Sequence, residues 1–561
     1  MPEPCQRPGT CGGRIPGVDK PGGWRPRAAT FAVVLCLGWP AGAAPPDQIS
    51  LDLSARLAEL AAIAEGEGGG TATLMIAGAG LPALAARAAT DPALGPPLGP
   101  VLAPVLAPVL APVLAPGAAP VAAQAEITAG RLNMRLALTM LSQAQGDENN
   151  GTVLAAQTEP ERNALVLKTG QARLSDLPGL LAAAGLPGGP IPGGPITGGI
   201  ELRVPLVIWP GAGLSLGPGE VLQLSRADGA FVMNFGTLTA EGATIRATTT
   251  PHPVIRSFRP FVTTADGGVL TLRGARVEGL GFGETLKFSG VSVLRGLLRP
   301  ATQPSRIEDS LFADILTLGI AGDTGIVVRG NRFHDMRGPS LTLARTARVQ
   351  VTGNLFSGRQ PTNAIRLEAG SGDGIIAGNV ILGGDRAGIV VRSDSPRATV
   401  TGNVVWARKG GGILLSGSPC GRIEGNLVID NAQKGIELRD ATAATVRANS
   451  VLSNDSAAIW IGNQPPGTLT RIEGNVLAFN GAGLAAASGG RIMLGANDLS
   501  RQFLQFLAGD LVGQIATLNR DMRGGTPIVL TAAGAAAPTP ADLVPDPACT
   551  PPAGQPQETR P

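Results

Sequence analysis

The sequence predicts an all-β fold, a right-handed parallel β-helix (solenoid), with a small α+β module ahead of it and Pro/Ala-rich disordered segments. Three observations carry that prediction. One short phrase returns between Ile307 and Asn497: VRGNRF at Val328, VTGNLF at Val351, IAGNVI at Ile376, VTGNVV at Val400, IEGNLV at Ile423, VRANSV at Val446 and IEGNVL at Ile472. Its asparagines (Asn331, Asn354, Asn379, Asn403, Asn426, Asn449, Asn475) are spaced by 23, 25, 24, 23, 23 and 26 residues. About ten residues after most of these asparagines comes a second alternating apolar run, as in NAIRLE, AGIVVR, GGILLS, KGIELR and AAIWIG. Short strands with period-two alternation, joined by Gly or Asn corners at a fixed period, describe a coil whose turns stack on one another.

A single turn cannot bury its apolar face, so equivalent residues must stack as ladders inside the coil. Ile365, Ile389, Ile413, Ile436 and Ile459 form one expected ladder, and Val400, Ile423, Val446 and Ile472 another. The asparagines read as structural. Asn tolerates left-handed backbone, and stacked side-chain amides can bond neighbouring backbone and one another. No L-x-x-L-x-L frame is kept, and propeller blades need longer periods.

Composition narrows the function. Lys+Arg 45 against Asp+Glu 42 leaves +3, which gives no support to nucleic-acid binding. Two histidines and the absence of any C-x-x-C pattern argue against a zinc site, and no cofactor is expected. Residues 1–44 read as an export signal: Lys20, Arg25 and Arg27 precede an apolar run from Ala28 to Leu37, and Ala41-Gly42-Ala43 offers a cleavage site. Cleavage removes Cys5, Cys11 and Cys36 and leaves Cys420 and Cys549 in a periplasmic or secreted setting that permits disulfides. Whether the two pair cannot be read from spacing.

In chain order, 45–121 is an Ala/Gly/Pro linker with a helical patch near Leu51 to Ala64 and four VLAP units from Val101 to Pro116. Proline at every fourth residue forbids helix and central strand. Residues 122–186 form the small module, with alternation in LNMRLALTM and NALVLK and a short helix from about Leu174 to Ala184. A Pro-Gly hinge spans 187–199. The β-helix spans 200–497, with excursions at Thr248 to Arg259 and Val291 to Ser305 that point to a binding face. A cap covers 498–535, helical over Leu499 to Leu518 by its spacing, and the Ala-Pro tail 536–561 is expected to be disordered.

The early irregular segments carry a resemblance. LVIWPGAGLSLG, LQLSRADGAFVMNFGTLTAEGATI, FRPFV at Phe258, GLGFGETLKFSG at Gly279 and IEDSLF at Ile307, in that order, resemble the periplasmic mannuronan C5-epimerases of alginate-producing bacteria. The likeness runs from about Ile200 to Asn497. It implies an exported protein that handles an acidic polysaccharide such as alginate in a groove on one sheet, with polysaccharide export proteins as further partners. The family inverts C5 of mannuronate with a histidine base in an Asp-Pro-His-Asp motif, and a basic residue one turn on helps hold the carboxylate. Here that motif falls on Thr342-Leu343-Ala344-Arg345 counting from Asn331, or on Leu341-Thr342-Leu343-Ala344 counting from Asn354. Neither register holds a histidine, and the basic position falls on Ala369.

Proton abstraction beside a carboxylate needs a base, a neutralising cation and a proton source on the opposite face. His334, Asp335 and Arg337, in NRFHDMR, are the candidate catalytic set, as base, orienter and clamp; the alternative is a solvated loop. His252, between prolines, reads as a surface histidine. Two outward columns follow from the strand register: Arg366, Val390, Leu414, Glu437, Trp460, and Glu368, Arg392, Ser416, Arg439, Gly462. Arg366, Glu368, Arg392, Arg439 and Trp460 are the candidate substrate-binding residues, with Trp406 a second platform; the alternative is cross-strand ion pairing such as Glu368 with Arg392. Asp373, Asp385 and Asp394 are scattered, so no metal site is expected, and the absence of Tyr excludes a phenolic acid. Three functions remain open: a glycan-handling epimerase relative with a degenerate motif, an active epimerase or lyase with a displaced base, and a non-enzymatic glycan- or protein-binding coil.

Overall fold

Each turn of the chain is built from three short strands, and each strand lies beside its equivalent in the next turn. Thr317–Ala321 belongs to what we call sheet A, Val327–Arg329 to sheet B and Arg332–His334 to sheet C, after which Leu341–Ala344 returns to sheet A. Pairing between turns is parallel: Leu318 with Leu341, Val328 with Val351, Phe333 with Phe356. The computed structural model describes residues 53–62 except 56 and 60, and residues 126–191, 199–296, 301, 303–503, 505–516, 526–531, 533–544 and 546–550. Residues 1–44, the VLAP stretch and 551–561 lie outside them. Among the described residues no helix is long and apolar enough to cross a membrane.

The expected interior ladders are present. Ile365, Ile389, Ile413, Ile436 and Ile459 pair in succession along sheet A, and Val400, Ile423, Val446 and Ile472 along sheet B. All are buried. Sheet C adds Phe312, Phe333 and Phe356, with ring centroids 5.1 and 4.7 Å apart. Stacked aromatic and branched side chains turn a repeat that could not fold alone into one continuous core.

The asparagines form a ladder at the corner between sheets B and C. From Asn331 through Asn475, each donates its backbone N–H and Nδ2 to Oδ1 of the next, ending on Asn497. Of the two reasons expected for asparagine here, stacking holds. The left-handed backbone belongs instead to the residue before it, Gly330, Gly353, Gly378, Gly402, Gly425, Ala448, Gly474 and Ala496 in turn.

Several boundaries differ from the sequence reading. Parallel coiling starts at Asn163–Arg173, which pairs with Leu206–Ile208 and with Ala212–Leu216, and not near Ile200. Met134–Gln145, part of which read as alternating, is a helix: Asn133 Oδ1 accepts from Arg135 N at 3.0 Å, and Met134, Ala137, Leu138 and Leu141 pack at helical spacing beside Val166, Val207 and Phe231. Leu177–Ala184 is helical as expected. In the Pro-Gly segment, Gly188–Pro190 pairs antiparallel with Gly199–Leu202, so it contributes an edge strand.

At the far end the helix expected over Leu499 to Leu518 gives way to strand and a short turn as far as Gln514; Ile515 and Ala516 are helical, and residues 517–518 lie outside the described ones. Leu507–Gly509 adds to sheet A in parallel and Val512–Gln514 is a single 3₁₀ turn. The apolar spacing there does not describe one buried face: Leu499, Leu507 and Leu511 are buried, but Phe503, Val512 and Ile515 are exposed. Ile528–Thr531 then closes sheet B antiparallel to Arg491–Gly495. The tail, expected to be disordered, takes defined structure at residues 536–544 and 546–550. Asp542 pairs with Arg491 at 2.7 Å, Arg471 bonds the carbonyls of Asp542 and Val544, and Cys549 joins Cys420 in a disulfide with Cα atoms 5.2 Å apart. Tertiary ties, which composition cannot reveal, hold a segment of low intrinsic order.

Candidate functional site

The outward columns fall in the expected register on sheet A. Arg366 pairs with Val390, Val390 with Leu414, Leu414 with Glu437 and Glu437 with Trp460; Arg392, Ser416, Arg439 and Gly462 align beside them. A groove of about 610 Å³ opens over this face, lined by Arg366, Val390, Arg392, Leu414 and Glu437 from the strands and by Thr362, Asn363, Asp385 and Arg386 from the corner between sheets C and A. Strands fix the floor, because their alternate residues must point outward. The corner residues form one rim.

Charge within the groove is unevenly compensated. Arg392 donates Nε to Glu368 at 2.6 Å, and Glu437 takes Arg439 at 2.7 Å and Lys434 at 3.1 Å. Asp385 is held by Lys409 at 2.7 Å. Arg366 instead donates Nη2 to neutral groups, Asn363 Oδ1 at 3.1 Å and Thr362 Oγ1 at 3.4 Å. Its Nε is buried with no hydrogen-bond partner and lies 4.0 Å from Glu368. Burial lowers the pKa of Arg366 from the usual arginine value, with Glu368 acting against it. Arg386 is exposed at the rim and has no carboxylate within ion-pair distance among the described residues. Trp460 is less open than a sugar platform needs: Lys434 Nζ lies 4.2 Å and Arg439 5.5 Å from its ring.

The rim is organised by Arg408, a residue that sequence reasoning missed. Arg408 is 1% exposed, and its guanidinium bonds Gln360 Oε1 at 2.9 Å and the carbonyls of Thr362, Gly383 and Arg386. Gly384, at φ +108°, leaves the space this guanidinium crosses; a Cβ there would overlap Arg408 Nη1. Without a hydrogen-bonded carboxylate, burial lowers the pKa of Arg408 to about 10. Arg408 also begins a second amide ladder: its N–H donates to Asn431 Oδ1, Asn431 to Asn454, Asn454 to Asn480 and Asn480 to Gln502. Spacings of 23 and 26 residues between Asn431, Asn454 and Asn480 were the signal for it.

The candidate catalytic set lies elsewhere. His334 ends a sheet C strand, with Nδ1 3.2 Å from Ser357 Oγ and Nε2 3.6 Å from Asp335. Arg337 is bound to the carbonyls of Leu280 and Gly281 at 2.6 Å each and to Asp314 O at 3.0 Å, so it ties down the 280–289 excursion. Trp406 is on sheet C as well, with Nε1 on Asp430 at 3.3 Å, and does not share the wall of Trp460. His252 is buried, contrary to expectation. Its Nδ1 accepts from Val254 N and Ile255 N, which folds the proline-flanked loop onto the ring, and Phe258 packs edge-on beside it.

On sheet A, where the two motif registers fall, the outer face is covered. Leu343 points into the core; Ala344 stacks with Leu294 and Ala321 beneath Leu286; Thr342 Oγ1 is buried without a hydrogen-bond partner. Asp373 is engaged by Arg397 Nε and Nη2 at 2.7 and 2.8 Å. Among the described residues no group of three or more acidic, His or Cys side chains is placed to hold a metal ion.

Stacked parallel strands, three inner ladders and one open outer face define a right-handed parallel β-helix protein. A family model described as a right handed beta helix region matches residues 316–499. No curated protein matches the chain. Among solved structures, the chain is similar to one described as the periplasmic alginate epimerase AlgG, at 17% identity and TM-score 0.49, covering 71% of this chain and 99% of that one. The A-module of the Azotobacter vinelandii mannuronan C-5 epimerase AlgE6 matches at 14% identity and TM-score 0.40, covering 53% and 85%. At such identities the likeness is one of fold, and no residue role is carried over from it.

Proposed function

We propose that this chain is an exported β-helix protein that holds an acidic polysaccharide, such as alginate, along the sheet A groove, and that it lacks the histidine chemistry of the family its sequence resembles. The supporting observation is the charge state of the groove. Arg366 and Arg386 line an open groove, and among the described residues neither has a hydrogen-bonded carboxylate; Arg366 lies only 4.0 Å from Glu368. A guanidinium offers a planar fork that matches a uronate carboxylate, and a repeating polyanion can meet several such groups in successive turns. Parallel strands repeat every ~4.8 Å, so Arg366 and Arg386, on adjacent turns, stand close enough for one polymer to meet both.

Proton transfer by a displaced His334 is not part of this reading. The imidazole lies on sheet C, its neighbour Arg337 is bound to backbone, and neither lines the groove. The test combines binding and chemistry on the purified protein. Retention on immobilised alginate should weaken with salt and with Arg366→Gln. C5 proton exchange of polymannuronate in deuterated water, followed by NMR, should be absent. Exchange that disappears in His334→Ala would replace this reading with that of an enzyme with a relocated base. Retention unchanged by Arg366→Gln and by salt would remove the glycan groove.

A further inference from the structure

We propose that Arg226, Arg259, Arg337 and Arg359 form a second anion site, at the sheet C to sheet A corner on the N-terminal side of the groove. It takes an oxyanion of the carboxylate or sulfate type in competition with Asp314. Three of the guanidinium groups stand within ion-pair distance of that single carboxylate, and the fourth, that of Arg226, lies near enough to act on it electrostatically. Arg259 Nη1 lies 2.6 Å from Asp314 Oδ2, Arg337 Nε 3.2 Å and Arg359 Nη2 3.8 Å from Asp314 Oδ1. Arg226, bonded to the carbonyls of Phe258 and Arg256, is close enough to feel both Arg259 and Asp314. Arg397 with Asp373 and Lys409 with Asp385 are one-to-one pairs, and Glu308, which also meets three arginines, is buried where Asp314 is not. At Asp314 three guanidinium groups share one exposed carboxylate, and Asp335 accepts from the backbone N of Arg359 and faces His334.

Neighbouring positive charge adds to burial in the electrostatics of the cluster. The pKa of Arg337 is held down to about 10, first by burial and next by Arg259, with Arg226 and Arg359 acting in the same direction. Arg226 is lowered as well, by burial and then by Arg259. Adding an anion relieves this repulsion, and the place is open to receive one: Asp314 is 44% and Arg359 62% exposed. Among the described residues, Arg259 makes its hydrogen bond through Nη1 alone, to Asp314. Asp314 is therefore the stand-in that an incoming oxyanion displaces or joins. Arg359 lies three residues before Thr362 on the groove rim, so a polymer leaving the groove meets this cluster next. The choice of a uronate carboxylate as the ligand rests on the glycan reading above, whereas binding of a free oxyanion does not.

Isothermal titration of the full chain with sodium sulfate, and separately with a short oligomannuronate, tests both. Sulfate should bind wild type, bind Asp314→Asn more tightly, and bind Arg359→Gln more weakly, each by roughly two- to fivefold, the size expected of a solvent-exposed ion pair. Arg359→Gln changes an exposed side chain and should not disturb folding, which circular dichroism of each variant checks. An affinity that falls or stays level in Asp314→Asn overturns the site, because a purely structural ion pair gives no gain when its acid is neutralised. Oligomannuronate affinity that responds to Arg392→Gln but not to Arg359→Gln, with no sulfate binding, keeps the groove and overturns the cluster. Sulfate binding that behaves as described, with no oligomer binding, keeps the cluster and overturns the groove.

Discussion

Asn403 Oδ1 accepts two hydrogen bonds from Asn379, one from its backbone N–H and one from its side-chain amide, both at 2.9 Å. Asn403 Nδ2 in turn donates to Ile376 O and to Asn426 Oδ1. One side chain thus satisfies a backbone N–H and a carbonyl of the preceding turn at the corner. Asn403→Ala orphans a fully buried backbone N–H and a carbonyl, and should cost about 3 kcal/mol, the range for unsatisfied buried polar groups. Urea unfolding measures it. Asn497→Ala, at the half-buried end of the ladder, should cost clearly less.

Arg408→Met tests the rim. The substitution keeps some volume but strips bonds from Gln360 and from the carbonyls of Thr362, Gly383 and Arg386. Loss of stability by about 2–5 kcal/mol is expected, together with reduced alginate retention, because Thr362 and Arg386 line the groove. Arg408→Lys should rescue little, since an ammonium cannot reach the same spread of acceptors. Thermal unfolding and column retention, measured side by side, check both effects.

Cys549→Ser should release the tail. The disulfide to Cys420 closes a separation of 129 residues, and its loss is expected to cost about 2–4 kcal/mol. Proteolysis should then cut between the strand at Ile528–Thr531 and Cys549 while leaving the coil intact. Wild type treated with a reductant should give the same fragment.

Asp430 supplies a pH dependence. Burial raises its pKa above the ordinary 3.8, against hydrogen bonds from Ser54 and Trp406 that lower it. The folded state therefore binds this proton more tightly than the unfolded state, and the contribution of Asp430 to stability falls as pH rises from 3.8 through the folded value. Above that window the buried charge is a standing cost. Asp430→Asn should stabilise the protein near neutrality, and the gain should vanish below about pH 3.8, as read by thermal unfolding at the two pH values.

The period of the asparagines was sufficient to predict the coil, its inner isoleucine ladder and the outward order Arg366, Val390, Leu414, Glu437, Trp460. Strand alternation and a fixed repeat leave one register that buries the apolar residues, and a slip by one residue would expose them all. The second amide ladder was legible in principle from Asn431, Asn454 and Asn480, but its first place is taken by Arg408, which hides the pattern.

What the chain could not state in one dimension was which wall each outward side chain joins. His334 and Arg366 both end up near a corner, and Trp406 and Trp460 both follow the same apolar rhythm, yet the bends between sheets put them on different faces. Local pattern decides inside from outside, because that depends on alternation alone. Direction around the axis depends on the angle of every corner. Only the folded coil therefore decided that Arg366 and Arg392 of sheet A share a groove, with Arg439 outside its lining, and that His334 stands apart from it.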